Sequence, residues 1–303
     1  MSNESLSSLS RRSLLGGVAG AAVGAATLQD LEAAKVKRVV KNDRINQSIV
    51  QWCFSKYWKL EETCAIAAKL GCKSVELVGI EDFATLKKHG LVCAIATSWY
   101  ADGPPFVKGL NDPKNHDMCL DFLKRSIDGC AAANFPSTIT FTGFAGEISP
   151  EDGIKNCVTA LKKIAGYAEK KKVTINLEML NTRDDSDPMK GHPGYQGDHI
   201  DYCMEIMRGV SSPRVKLLFD IYHVQIMDGD VIRRIHECKD YIGHIHTAGN
   251  PGRGELDDNQ EINYPPIMKA LLDIGYTGYV GQEFIPTRDP LQGLQEAVAL
   301  CDV

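Results

Sequence analysis

A closed (β/α)8 barrel is the fold that the sequence predicts, on three observations. From about residue 45 onward, short β-branched or aromatic apolar runs alternate with longer amphipathic stretches. Such alternation implies parallel strands joined by right-handed crossovers. Eight of these units fit into roughly 260 residues, close to the usual barrel size of about 250. The turn after the first strand, CFSKYWKLEE, has no G-x-G-x-x-G, the glycine-rich phosphate turn that an open doubly wound sheet normally carries there.

Taken in chain order, the N-terminus differs in kind from the rest. Arg11 and Arg12 precede an uncharged Gly/Ala-rich stretch from Ser13 to Gln29, with Ser10 before the pair and Leu14 and Leu15 after it. This reads as a twin-arginine export signal, which places the mature protein in a periplasmic or other extracytoplasmic space. A stable membrane span needs about 20 strongly apolar residues, and this stretch is shorter and too rich in glycine. Residues 1–36 are therefore assigned to the signal and its basic linker, and residues 37–303 to a single barrel domain. Strands are expected at 45–54, 73–78, 91–97, 137–142, 173–178, 215–220, 241–247 and 278–283, with amphipathic helices between them. Gly71, Gly209 and Gly275 fall where helix stops are expected.

Composition narrows the function. The chain has 303 residues, 44% hydrophobic and 24% charged, enough for a substantial core. A net charge of -5 and a pI near 5.9 give no footprint for nucleic acid, so small molecules are the expected partners. Ten cysteines are scattered without a C-x-x-C pair and mostly in apolar segments, so free, buried thiols are expected. Association into a homo-oligomer is left open.

In a (β/α)8 barrel the reactive residues project from the C-terminal ends of the strands. Here the fifth expected strand ends in Glu178, the sixth in Asp220 and the eighth in Glu283, and the seventh carries His246. One such residue has a plain structural explanation, since helix N-caps favour Asp. Four on consecutive strands about 4.8 Å apart, at one height, would converge within a metal's reach. Three carboxylates in a low-dielectric mouth repel, a cost that a divalent cation removes. Oxygen-rich ligation with one imidazole suits Mg²⁺, Mn²⁺ or Zn²⁺ with positions left for a chelating substrate. Period-two alternation in GHIHT puts His244 one layer below His246, as a substrate contact or a buried satisfied histidine. His223, three residues after Asp220, is a rim residue that could touch substrate or move protons. Glu76 in VELV is a pocket-lining candidate, with a salt bridge as the alternative.

The segments NLEMLNTRD, LLFDIYHVQ, GHIHTAGNPGRGELDDNQEINYPP and GYVGQEF resemble the hydroxypyruvate isomerase family. That family belongs to the xylose isomerase-like TIM barrels, with ketose 3-epimerases, inosose dehydratases and endonuclease IV. The likeness runs from about residue 45 to 301. It implies a divalent metal on Glu178, Asp220, His246 and Glu283, with the two glutamates shuttling protons across the substrate. Hydroxypyruvate isomerases usually have glutamine where this chain has His246, and histidine there is common in the related epimerases. If the substrate carries a carboxylate, Arg183 in NTRD and Arg253 in NPGR are its natural bidentate partners. The same machinery with another pocket would epimerise a ketose at C3. DNA repair of the endonuclease IV kind would need more histidines and a basic face, neither of which is present. A secreted sugar-binding barrel without turnover would need the ligands but not the acid–base pair.

Overall fold

The computed structural model describes residues 36–303; Arg11, Arg12 and the rest of the expected export signal lie outside the described residues. Seven parallel strands are described: β1 Asn46–Val50, β2 Ser74–Glu76, β3 Ser137–Phe141, β4 Thr174–Glu178, β5 Val215–Asp220, β6 Ile242–Thr247 and β7 Tyr279–Gln282. They form one sheet in the order β2-β1-β7-β6-β5-β4-β3, so its two edges are β2 and β3. The expected strand at 91–97 lies between those edges, where it makes only isolated bridges, Ser74 to Val92 and Ala96 to Thr138. It still closes the barrel. Val75 N–H donates to Val92 O at 3.2 Å, and Ala96 exchanges bonds of 2.9 and 3.0 Å with Ser137 and Ile139. A regular ladder fails there because hydroxyls take backbone groups it would use: Ala94 N–H goes to Ser74 Oγ, and Ala94 O accepts from Ser137 Oγ.

The strands separate two cores by their period of two. Ile175, Leu177, Leu217, Phe219 and Ile245 belong to the main cluster under the helices. Phe106, Ile139, Phe141, Leu180 and Leu218 form a second cluster, whose strand members alternate with those facing the helices. The helices that matter below are α1 Gln51–Phe54, α2 Leu60–Leu70, α3 Pro150–Lys171, α4 Ile200–Val210, α5 Ile221–Met227 and α6 Tyr264–Asp273. The first expected strand stops at Val50, four residues early, because the chain turns into α1. Of the three expected helix stops, Gly71 caps α2 at φ 97° and Gly275 follows α6 at φ 72°. Gly209 instead lies inside α4, which ends at Ser211. A Cβ on Gly209 would stand 2.7 Å from Val158 Cγ2, so this glycine serves the close approach of α4 to α3.

All ten cysteines are unpaired and buried, as expected. Burial pushes their thiols up, Cys64 and Cys72 to about 12, so they stay protonated and unreactive. No helix among the described residues is long and apolar enough to cross a membrane.

Candidate active site

Strand ends bring Glu178, Asp220, His246 and Glu283 together: one ligand atom from each lies within 4.8 Å of the others, and all four residues are buried. The sequence reading put them at one height on their strands, but in register they are displaced from one another. Glu178 is in register with Leu218, which pairs with His244; Asp220 pairs with His246; His246 pairs with Gly281, two residues before Glu283. The site thus climbs the ladder from β4 to β7. Barrel strands tilt about 35–45° from the axis, so residues at equal height along the axis are displaced in register.

Asp220 does both things a strand-end acid can do. Its Oδ1 caps α5, accepting from Tyr222 N–H at 2.8 Å and His223 N–H at 3.3 Å. Its Oδ2 is buried and without a hydrogen-bond partner. Glu178 Oε1 and His246 Nδ1 are likewise buried and unbonded. His246 Nδ1 stands 2.9 Å from Glu283 Oε2 and 3.5 Å from Glu178 Oε1, aligned for a hydrogen bond with neither. Buried polar atoms are rarely left unpaired, and each such group costs about 1–3 kcal/mol. Three converging on one point, with hard carboxylate oxygens and one imidazole, fit a divalent cation.

Glu76 explains why His246 turns Nδ1 toward the acids. The carboxylate is fully buried, and its Oε1 accepts from His246 Nε2–H at 2.9 Å and from His244 Nε2–H at 2.8 Å. Burial would raise Glu76, but the two imidazoles outweigh it and bring the carboxyl down to about 2. An ionised acceptor fixes the Nε2–H tautomer and leaves Nδ1 as the face offered to the site. Gly281 on β7 makes the room: a Cβ there would fall 2.1 Å from Glu76 Oε1.

The two glutamates sit in opposite environments. Burial, reinforced by the charge of Glu283, raises Glu178 although His246 opposes it. Burial would raise Glu283 too, but Arg253 and His246 overcome it and hold that carboxyl well below its usual range. Arg253 Nη2 lies 2.5 Å from Glu283 Oε2, and Trp52 Nε1–H donates to Oε1 at 3.1 Å. Asp220 is pushed up to about 7 by burial, with Arg253 opposing. His246 is raised: burial would lower it, but Glu283, Glu178 and Glu76 prevail.

Beside this cluster is a cavity of about 340 Å³ lined by Glu178, Glu283 and Arg253. The remaining expected substrate residues are not on its wall. His244 and Glu76 are bonded to each other in the barrel interior. His223 is fully buried, with Nδ1 accepting from Asn181 N–H at 3.1 Å and from Asn181 Nδ2 at 2.7 Å, and with Nε2 3.5 Å from Asp220 Oδ2. Arg183 is exposed and donates to Ile226 O at 2.8 Å, tying its loop to the end of α5. Arg253 is the arginine that turns inward. It is 3% exposed, donates to Met189 O at 2.7 Å and lies over the rings of Trp52 and Tyr222.

Comparisons with known proteins assign the barrel to a family. Residues 64–302 match the xylose isomerase-like TIM barrel family. The chain belongs to that family. Among its relatives, a 2-oxo-tetronate isomerase of Haemophilus influenzae is 30% identical over 240 residues, 75% of this chain and 88% of that protein. A putative human hydroxypyruvate isomerase is 36% identical over 134 residues, 44% of this chain; the match spans about half the length of that relative, 46%. Among solved structures, a family 2 AP endonuclease of Brucella melitensis superposes with a TM-score of 0.73 at 24% identity, covering 82% of this chain and 97% of that one. At that identity the likeness shows the fold alone.

This xylose isomerase-like barrel also has site residues that the sequence reading missed. Trp52 rises from α1 to bond Glu283, and His192, in GHPG, lines the cavity against Phe106 at 4.1 Å between ring centroids. Burial, with Arg253 adding to it, brings His192 down to about 4, so its imidazole is neutral. A tryptophan at the first strand's end was the available signal for Trp52. Nothing in the sequence separates His192 from Arg183 on the same long loop.

Proposed function

We propose that the protein is a divalent-metal-dependent isomerase acting on a small hydroxy-keto acid or sugar through an enediolate, of the kind that converts hydroxypyruvate to tartronate semialdehyde. The observation that carries this reading is the asymmetric glutamate pair on one cavity wall, Glu178 raised and Glu283 lowered, beside three unsatisfied ligand atoms. Environments that push two acids apart are the usual mark of divided acid–base roles. The curated relatives named isomerases support it.

Glu178, Asp220, His246 and Glu283 would hold the ion. Bound there, a divalent cation acidifies the proton next to a carbonyl and stabilises the charge of the enediolate. Glu178, whose carboxyl burial raises, would be the stronger base and remove the carbon-bound proton with the oxygen that the ion leaves free. Glu283, kept ionised by Arg253 and aligned by Trp52, serves the neighbouring carbon. Arg253, anchored on Met189 O, presents positive charge to the oxygens of the substrate. The Glu76–His246 bond keeps the imidazole in its ligating tautomer.

The test is hydrogen exchange and turnover by purified full-length protein with Mn²⁺ or Mg²⁺ on hydroxypyruvate and a panel of ketoses, before and after chelation. Exchange that chelation abolishes is expected; no turnover of any compound by metal-loaded protein refutes the reading. The twin-arginine signal supports a second proposal, export after folding, which suits a chain whose ten thiols are all unpaired. Changing Arg11 and Arg12 to Lys should block secretion, and unchanged secretion would refute export by that route.

A further inference from the structure

The cavity beside Glu178 and Glu283 has two chemically different parts. Its hydrogen-bonding groups cluster where Trp52, Arg253 and Glu283 touch one another. Most of the remaining wall is apolar: Leu77, Phe106, Ile139, Phe141, Leu180 and Met189. Phe106, Ile139, Phe141 and Leu180 are one contiguous apolar cluster, with Leu77 packed against it, and are separate from the main core. The two further polar groups, Thr97 and His192, do not change this, since the His192 ring packs on Phe106 and is neutral.

Leu77 adds a second, independent observation. It follows β2 at φ 55°, a left-handed conformation that bulky residues rarely adopt. Of the other non-glycine residues with positive φ, Asn134, Lys172, Ser211 and Asp230 each cap a helix, Asp43 lies in an exposed loop, and Arg253 lines the same cavity. Leu77 caps none. Strain of this sort persists where the surroundings impose it, typically at ligand sites. Here it keeps an aliphatic side chain on the cavity wall.

Hydroxypyruvate carries oxygen on every carbon and would occupy a small part of about 340 Å³, a volume in the range of drug-sized ligand sites. The extra hydroxyls of a longer polyol would face the apolar wall without partners. We propose that the substrate is an α-hydroxy ketone or α-hydroxy aldehyde whose reacting two-carbon unit meets Glu178 and Glu283. Its remaining substituent is alkyl or aryl and sits against the wall formed by Phe106 and Phe141. This rests on the isomerase chemistry of that reading and departs from it in the substituent, which is apolar in place of a carboxylate or polyol. The chemistry balances without a co-reactant. The C–H bond of the carbinol carbon breaks, its proton going to a glutamate, and the electron pair forms the enediol double bond. A C–H bond then forms at the former carbonyl carbon, and the hydroxyl proton passes from one oxygen to the other.

The full chain with Mn²⁺ is assayed in D₂O by proton NMR on erythrulose, 1-hydroxy-2-butanone, 1-hydroxy-2-hexanone and 2-hydroxyacetophenone. In parallel, calorimetry measures binding of erythrulose and 2-hydroxyacetophenone to the metal-free chain. Exchange should rise roughly fourfold per methylene in kcat/KM, so about sixteenfold from butanone to hexanone. 2-Hydroxyacetophenone should bind and exchange better than erythrulose. Leu180→Asn and, on the more exposed loop, Met189→Ser should each narrow that ratio. Erythrulose exchanged faster than the alkyl and aryl compounds overturns this proposal and leaves the isomerase intact. Preferential binding of 2-hydroxyacetophenone with no exchange of these compounds or of hydroxypyruvate supports the apolar subsite and overturns the isomerase. Neither preference nor exchange overturns both.

Discussion

Asp220 divides its two oxygens between a helix cap and the site, and that division shows how single residues are shared by fold and chemistry. Its cap and its ligand face were both legible from a strand-end aspartate, since each needs only that position. Glu76 was not legible in the same way: its partner His244 is 168 positions distant, and only barrel closure brings them together. Removing that carboxylate's charge with Glu76→Gln should lower metal affinity about 10–100-fold, as other outer partners of ligating histidines do. Titration calorimetry measures it, and ¹⁵N NMR of His246 in the Mg²⁺-loaded chain should show a loss of the pure Nε2–H form. An unchanged tautomer would mean that Glu76 only fills space. Glu178→Gln and Glu283→Gln should each keep the fold and slow substrate hydrogen exchange about 10²–10⁴-fold. Normal exchange in either variant would remove that residue from the acid–base pair.

At the scale of elements, the site depends on two rim loops that hold each other. Glu255, in the loop after β6, accepts from Thr287 N–H at 2.9 Å and Thr287 Oγ1–H at 2.7 Å in the loop after β7. Tyr264 at the start of α6 closes the same loop, its hydroxyl donating to Ala248 O at 2.7 Å and accepting from Ala248 N–H at 3.0 Å. Glu255→Ala should cost about 1.5–3 kcal/mol of stability, the usual worth of hydrogen bonds to a charged group, here the buried Glu255 carboxylate. Because Arg253 lies two residues away, KM should rise more than kcat falls. Thermal unfolding and steady-state kinetics check the pair, and an unaltered KM would show that Arg253 is held by its own contacts alone. The strands bearing Glu178, Asp220 and His246 are readable because hydrophobic alternation ends there in a charged or imidazole side chain. The third stave was less readable, since its irregularity comes from hydroxyls on Ser74 and Ser137, which belong to neighbours far along the chain.

Across the whole molecule, the buried acids make stability depend on pH and metal together. Asp220, raised to about 7, contributes stability that is present below its unfolded pKa of about 3.8 and is lost as pH rises through 7. Glu178 and His246, also raised, act in the same direction, each losing its contribution as pH rises through its folded pKa. Glu283, lowered, has the opposite sign and loses its contribution only as pH falls below the usual carboxylate range. The buried histidines His192, His223 and His244, all lowered, oppose this only up to their unfolded pKa of about 6.5, so the metal-free protein should melt lower at pH 8 than at pH 6.5. Saturating Mn²⁺ should close that gap, adding about 2.7 kcal/mol at a hundred times Kd. Calorimetric melts with and without chelator decide this, and a metal-free Tm that climbs from pH 6.5 to 8 would contradict it.

Four side chains converge at one place in the barrel mouth, and the proposed chemistry depends on an ion there. Anomalous diffraction at the manganese edge, from crystals of the protein grown with Mn²⁺, observes that place directly. The account predicts one peak at about 2.0–2.3 Å from Glu178, Asp220, His246 Nδ1 and Glu283. A peak between Glu76 and His244 instead, or none near the four residues, would contradict it.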